Sequence, residues 1–188
     1  HVEAAYATAR EEGFAYHLGL AAALRGWVSL LHGRPVEALA HLEEGLAAHQ
    51  ATGARVGLLG YFIVVAHGKA ILGGLDEGIA AIDQGIAEAE ATHQPLHLGP
   101  LYRVRGMLTL LGGDDPARLA EAERLFLRAL EAARGIGARM PELQAGTSLA
   151  ALWLRQGRPA DARALLAPLR AGFTEGLELN DLRAATAV

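Results

Sequence analysis

From Phe14 to His32 apolar residues occupy nearly every side of a helical projection, as expected of a helix packed on two faces. A short polar break at Gly33–Arg34 follows, and the pattern then changes. From Pro35 to Gln50, Val36, Leu39, Ala40, Leu42 and Leu46 fall on one stripe while Glu37, Glu43 and Glu44 face water. Gly33 suits the left-handed position that closes a helix. Pro35 and Glu37 suit the first turn of the next one. Aromatic residues are few and no alternation of period two is sustained, so the chain is expected to be all-α.

This two-helix phrase recurs. Gly33, Gly73 and Gly157 each stand five residues before a small residue, Ala38, Gly78 and Ala162. Four residues further on come Leu42, Ile82 and Leu166. A copy centred on Ala122 and Phe126 joins the series once four residues are inserted at "GGDDPARL", giving spacings of 40, 44 and 40. Gly13, Gly53, His93 and Gly137 mark the unit ends at 40, 40 and 44, with the insertion in the same place. The expected division is a second helix of a truncated repeat over 1–13, repeats over 14–53, 54–93, 94–137 and 138–177, and the start of a cap over 178–188.

Small residues keep register with these units. Gly26, Ala66, Gly106 and Ala150 hold one place in the first helices, and Gly45, Gly85 and Ala129 form a further column in the second helices. Glycine inside a helix costs about 1 kcal/mol relative to alanine. Its retention in register predicts close approach of two backbones there.

Paired helices with small residues at these offsets resemble tetratricopeptide repeats over essentially all 188 residues. The units are longer than the usual unit of about 34 residues, and the frequent proline near the end of the second helix is missing. In this they resemble the longer-helix arrays of large bacterial signalling ATPases. The closing stretch, with "FTEGLELNDLRAA" from Phe173 to Ala185, is similar to the C-terminal end of proteins joining a class III nucleotide cyclase, an ATPase module and a tetratricopeptide array. The resemblance implies an α-helical solenoid of stacked antiparallel helix pairs, right-handed, whose first helices line a concave binding side.

Composition narrows the function. There is no cysteine, which excludes disulfides, thiolate metal sites and cysteine nucleophiles. A net charge of −4 argues against nucleic-acid binding. Sixteen of the seventeen basic residues are Arg, and Lys69 is the only Lys; with abundant Ala, Gly and Leu this is the codon bias of a GC-rich bacterial genome. No run of eighteen apolar residues exists, so no membrane span is expected. The first residues form no secretory signal, and a cytoplasmic location is expected. The chain starts at His1 rather than Met and reads as a piece of something larger.

No catalytic constellation emerges, and no cofactor or metal is expected. Gly68 and Lys69 lack the rest of a phosphate-binding loop. His93 and His97 have a metal-compatible spacing, but Pro95 lies between them and a loop-capping role fits better. Asp114 and Asp115 precede Pro116, where acids cap a helix start.

Binding is the remaining possibility. In register, the concave positions are Leu20, Trp27, Leu30, Ile63, His67, Arg103, Met107, Gln144, Thr147 and Leu154. Trp27 and Met107 offer an apolar anchor, Arg103 a partner for a carboxylate, and His67 a group that titrates near neutrality. The expected partner is a protein, a peptide or a neighbouring domain of the parent. Two rivals remain: the sensor array of an ATP-dependent transcriptional activator, and a small-ligand receptor using the apolar groove. Charge is uneven, net −6 over 1–96 and +2 over 97–188. Residues 1–13 lack their own partner helix, which predicts self-association through that end.

Overall fold

The computed structural model describes residues 1–53, 58–176 and 178–188. Ten α-helices and no strand occur among them: α1 Val2–Glu11, α2 Ala15–Leu31, α3 Pro35–Ala51, α4 Leu58–Ile71, α5 Leu75–Ala91, α6 Pro95–Leu111, α7 Pro116–Gly135, α8 Arg139–Arg155, α9 Pro159–Ala171 and α10 Asn180–Ala187. The expected start of a repeat at 54 and the end of one at 177 lie outside the described residues. The chain divides into two units, His1–Glu88 and Ala89–Val188, with α5 running across the division.

Helix ends follow the local chemistry. Pro35, Pro95, Pro116 and Pro159 each open a helix, where the missing N–H leaves no hydrogen bond unmade. Gly33 leaves α2 at φ 70°, and His93 takes the equivalent left-handed place after α5 at φ 52°. A side chain pays steric strain there that glycine does not, so His93 is a deliberate exception among the unit ends. Its role is in the turn. Of the two acids before Pro116, Asp115 caps α7 by accepting from the backbone N–H of Arg118, 3.1 Å away. Asp114 does not cap; it accepts from Arg155.

In the first unit α2 packs on α3, α3 on α4, and α1 on α2. The small residues make this possible. A Cβ added to Gly26 would lie 2.5 Å from Leu42 Cγ and 3.0 Å from the carbonyl oxygen of Ala38. One added to Gly78 would lie 2.7 Å from the carbonyl oxygen of Ala66, and one on Gly45 2.9 Å from that of Gly19. The stripe expected on α3 is narrower than the sequence pattern implied. Ala38, Leu42, Gly45 and His49 are buried, while Val36 and Ala40 are exposed.

The second unit repeats the scheme. A Cβ on Gly106 would meet Phe126 at 2.6 Å, in the place where Gly26 meets Leu42, and Gly99 lies against the carbonyl oxygen of Ala129. Phe126, Leu101, Leu108, Leu143, Leu149 and Leu152 are fully buried. The short α10 closes this unit on α8 and α9: Leu182 and Ala185 pack with Leu143, partly covered by Met140, Leu169 and Phe173.

Candidate functional site

Helical periodicity places the candidate residues of each first helix three, four or seven apart, so each set occupies one stripe. In the first unit, Leu20 and Trp27 on α2 are exposed, while Leu30 on α2 and Ile63 and His67 on α4 are half-buried. His67 Nδ1 lies 2.8 Å from the carbonyl oxygen of Ile63, one turn back on the same helix. That contact holds the ring along α4. Leu20 lies in a hollow of 510 Å³ between α1 and α2, with Ala5, Thr8, Phe14, His17 and Leu24. Its lining is apolar apart from Thr8 and His17.

In the second unit, Arg103 and Met107 on α6 and Gln144 and Thr147 on α8 are half-buried. They form the most polar cluster of candidate positions. Arg103 Nη1 donates to Met107 Sδ at 3.3 Å, a weak acceptor, and Arg103 Nε is buried with no partner. Burial lowers the Arg103 pKa, and the negative charge of Asp181 on α10 partly restores it. Gln144 Nε2 donates to Asp181 Oδ1 at 3.0 Å. Thr147 is turned inward, its hydroxyl donating to the Leu143 carbonyl at 2.8 Å. Asp181 therefore bonds one candidate position, Gln144, while its negative charge acts on another, Arg103. Leu154 lies apart from them, in a hollow of 230 Å³ with Pro159, Leu166, Ala185 and Val188.

Other side-chain clusters went unread in the sequence. Tyr6 donates to Glu44 while the Arg25 guanidinium lies 4.1 Å from the centre of its ring. Tyr102 donates to Glu90, with Arg128 lying 4.0 Å over its ring. Trp153 Nε1 donates to Glu123 at 2.7 Å, with Arg158 over the indole and bonded to the same carboxylate at 2.9 Å. Each joins an aromatic, a carboxylate and an arginine from separate segments, Arg158 standing just before α9, and each pins one helix against another. They are braces, because their polar groups already have partners, Arg25 in Glu3 and the others within each cluster.

A different cluster in the first unit is not satisfied. His49 is 2% exposed, and neither ring nitrogen has a partner. Its ring lies 5.4 Å from that of Tyr16 and 5.6 Å from that of Tyr61, whose hydroxyl is also unpartnered. Burial, then the neighbouring Tyr16, pushes the Tyr61 pKa up to about 12.

Gly68 is buried inside α4 against Leu39, where no phosphate can approach its backbone. His93 sits in the turn before α6, whereas His97 is half-buried within α6 and held towards its neutral form by desolvation. No group of three metal-ligating side chains occurs among the described residues. No described helix is long and apolar enough to cross a membrane.

No family model matches the chain, and no curated protein does. Solved structures do. BtubC (BKLC) from P. vanneervenii superposes with a TM-score of 0.72 at 16% identity, over 99% of this chain and 83% of that one. A kinesin light chain-like protein of Podosopora anserina with nearly identical TPR-like repeats was solved in two forms. Its singly substituted form gives 0.67 at 17% identity, over 91% of this chain and 82% of that one. The other form gives 0.65 at 18% identity over the same shares. At such identities the likeness establishes the fold: this is an α-helical array of TPR-like helix pairs.

Proposed function

We propose that this chain is a non-catalytic protein- or peptide-binding array and serves as a regulatory module of a larger bacterial signalling protein. The fold supports an interaction scaffold, since helix-pair arrays present extended faces and leave little room for a buried reaction centre. The observation that carries the reading is Arg103. A half-buried guanidinium with its Nε unpartnered and a thioether as a hydrogen-bond acceptor has capacity left for a carboxylate. Met107 beside it supplies an adaptable apolar contact. The expected ligand is a peptide segment with an acidic group flanked by apolar residues. The resemblance of the Phe173–Ala185 stretch favours a parent containing a nucleotide cyclase and an ATPase module, with those modules as natural partners.

Selection from a displayed random-peptide library tests the reading. Enriched peptides should carry Asp or Glu, and should lose at least tenfold in affinity against Arg103→Ala while the circular dichroism of that variant stays helical. Absence of any enriched peptide, or enrichment indifferent to Arg103→Ala and Met107→Ala, would contradict it.

A further inference from the structure

The tail helix α10 sits on the same unit as Arg103, and its chemistry describes a ligand. Asp181, in its first turn, faces Gln144 of α8 and acts electrostatically on Arg103 of α6. One and four residues later, Leu182 and Ala185 enter the apolar surface made by Leu143, Met140 and Leu169. An acidic residue at the start of an amphipathic helix, followed by apolar residues one turn apart, is a helix-in-groove pattern. We propose that α10 is a displaceable internal occupant, and that the surface it covers accepts from a partner a helix of the same pattern, acidic in its first turn and apolar on one face. This rests on the reading of Arg103 as a carboxylate partner and adds the form of the ligand and its regulation.

Two observations show that α10 is held more loosely than α8. Only Leu182 and Ala185 are buried, against six residues of α8. Its contact with α9 is loose: a hollow of 420 Å³ opens among Ala167, Arg170, Ala171, Leu182 and Thr186. A second, of 230 Å³, lies among Leu154, Leu166, Ala185 and Thr186, beside the contact of Val188 with Leu166. The segment before it turns at Gly176, whose φ of 67° is a conformation side chains rarely adopt, and the Leu179 N–H donates to the Gly176 carbonyl at 2.9 Å. By contrast, Leu143 and Leu149 of α8 are fully buried. A partner helix with the same acid and a longer apolar face would replace α10 and also fill the hollows.

The test uses the chain 1–188 and a fluorescein-labelled peptide with the sequence of residues 178–188. A Leu182→Asp/Ala185→Asp chain, in which α10 is released, should bind the peptide at least tenfold more tightly than the unaltered chain. The Asp181→Ala peptide should bind several-fold more weakly, and Arg103→Ala combined with Gln144→Ala in the released chain should abolish that difference. Equal binding by the released and unaltered chains would overturn the proposal, as would indifference to Asp181. Hydrogen exchange on the unaltered chain gives an independent arm should the double variant misfold. The amides of α10 should exchange at least tenfold faster than those of α8 and α9; equal protection would overturn the proposal. If library peptides bind both chains equally through Arg103, only the displacement of α10 fails. If neither chain enriches any peptide, the binding reading itself fails.

Discussion

The two units use one packing rule and carry different surfaces. In His1–Glu88 the candidate stripe is aromatic and aliphatic, with Trp27 exposed and His67 bonded within its own helix. In Ala89–Val188 it carries Arg103 and Gln144, the latter bonded to Asp181, whose charge also acts on Arg103. Yet Arg103 stands 40 residues after Ile63, and Met107 40 after His67, in the same register. Beneath them the packing positions hardly change, Gly26 against Leu42 and Gly106 against Phe126. The lesson is a separation of duties. Small-residue columns set the distance between helices, and the stripe beside them is free to take new chemistry.

The core comparison can be broken most severely at the large residues. Phe126→Ala should cost about 4 kcal/mol and Leu42→Ala about 3 kcal/mol, each leaving a cavity opposite a glycine that cannot fill it. Chemical denaturation checks both, and near-equal small losses would mean the two contacts relax. Gly78→Ala comes next, at about 2 kcal/mol net. The new Cβ would face the Ala66 backbone oxygen at 2.7 Å, which outweighs the helix-propensity gain of about 1 kcal/mol. A stabilised variant would show that α4 and α5 can separate freely.

The tyrosines sharpen the contrast. Tyr61 has no hydrogen-bond partner, whereas Tyr102 bonds Glu90 and Arg128. Tyr61→Phe should therefore be neutral or stabilising by up to about 1 kcal/mol, and Tyr102→Phe should cost about 1 kcal/mol. Both pKa values are raised to about 12, Tyr61 by burial and then Tyr16, Tyr102 by burial and then the Glu90 hydrogen bond. The folded state then holds the phenolic proton more tightly than the unfolded chain does. This stability is present below pH 10 and is lost as pH rises from 10 through about 12. Melting temperature followed across that window should fall in the unaltered chain and fall less in either Phe variant. Glu123→Gln should carry a smaller cost than Tyr102→Phe, because the carboxylate and Arg158 are partly solvated. High salt should shrink it further.

Legibility in the sequence followed distance along the chain. Helix starts at Pro35, Pro95, Pro116 and Pro159, left-handed ends and the small-residue columns depend on neighbours at fixed offsets, and the residue types announce them. Even His93 was marked by its place in the Gly13, Gly53 and Gly137 series. Arg103 and Gln144 were legible as positions on a stripe. Their connection through Asp181 was not, because it depends on where an eight-residue tail helix docks. The Tyr–Glu–Arg braces were equally invisible, since Tyr6 and Glu44 are 38 residues apart and common on any surface. Nor did His49 declare itself: on a helix wheel it continues the stripe of Leu42 and Leu46, and only packing shows that its ring is buried without a partner.

Hydrogen exchange of the chain with and without a library-selected peptide tests the central claim most directly. Peptide should slow exchange in α6 around Arg103 and Met107 and in α8 around Gln144 and Thr147, with α10 exchanging faster as it is displaced. Protection confined to other helices, or none at a saturating peptide concentration, would contradict the assignment of this face as the binding surface.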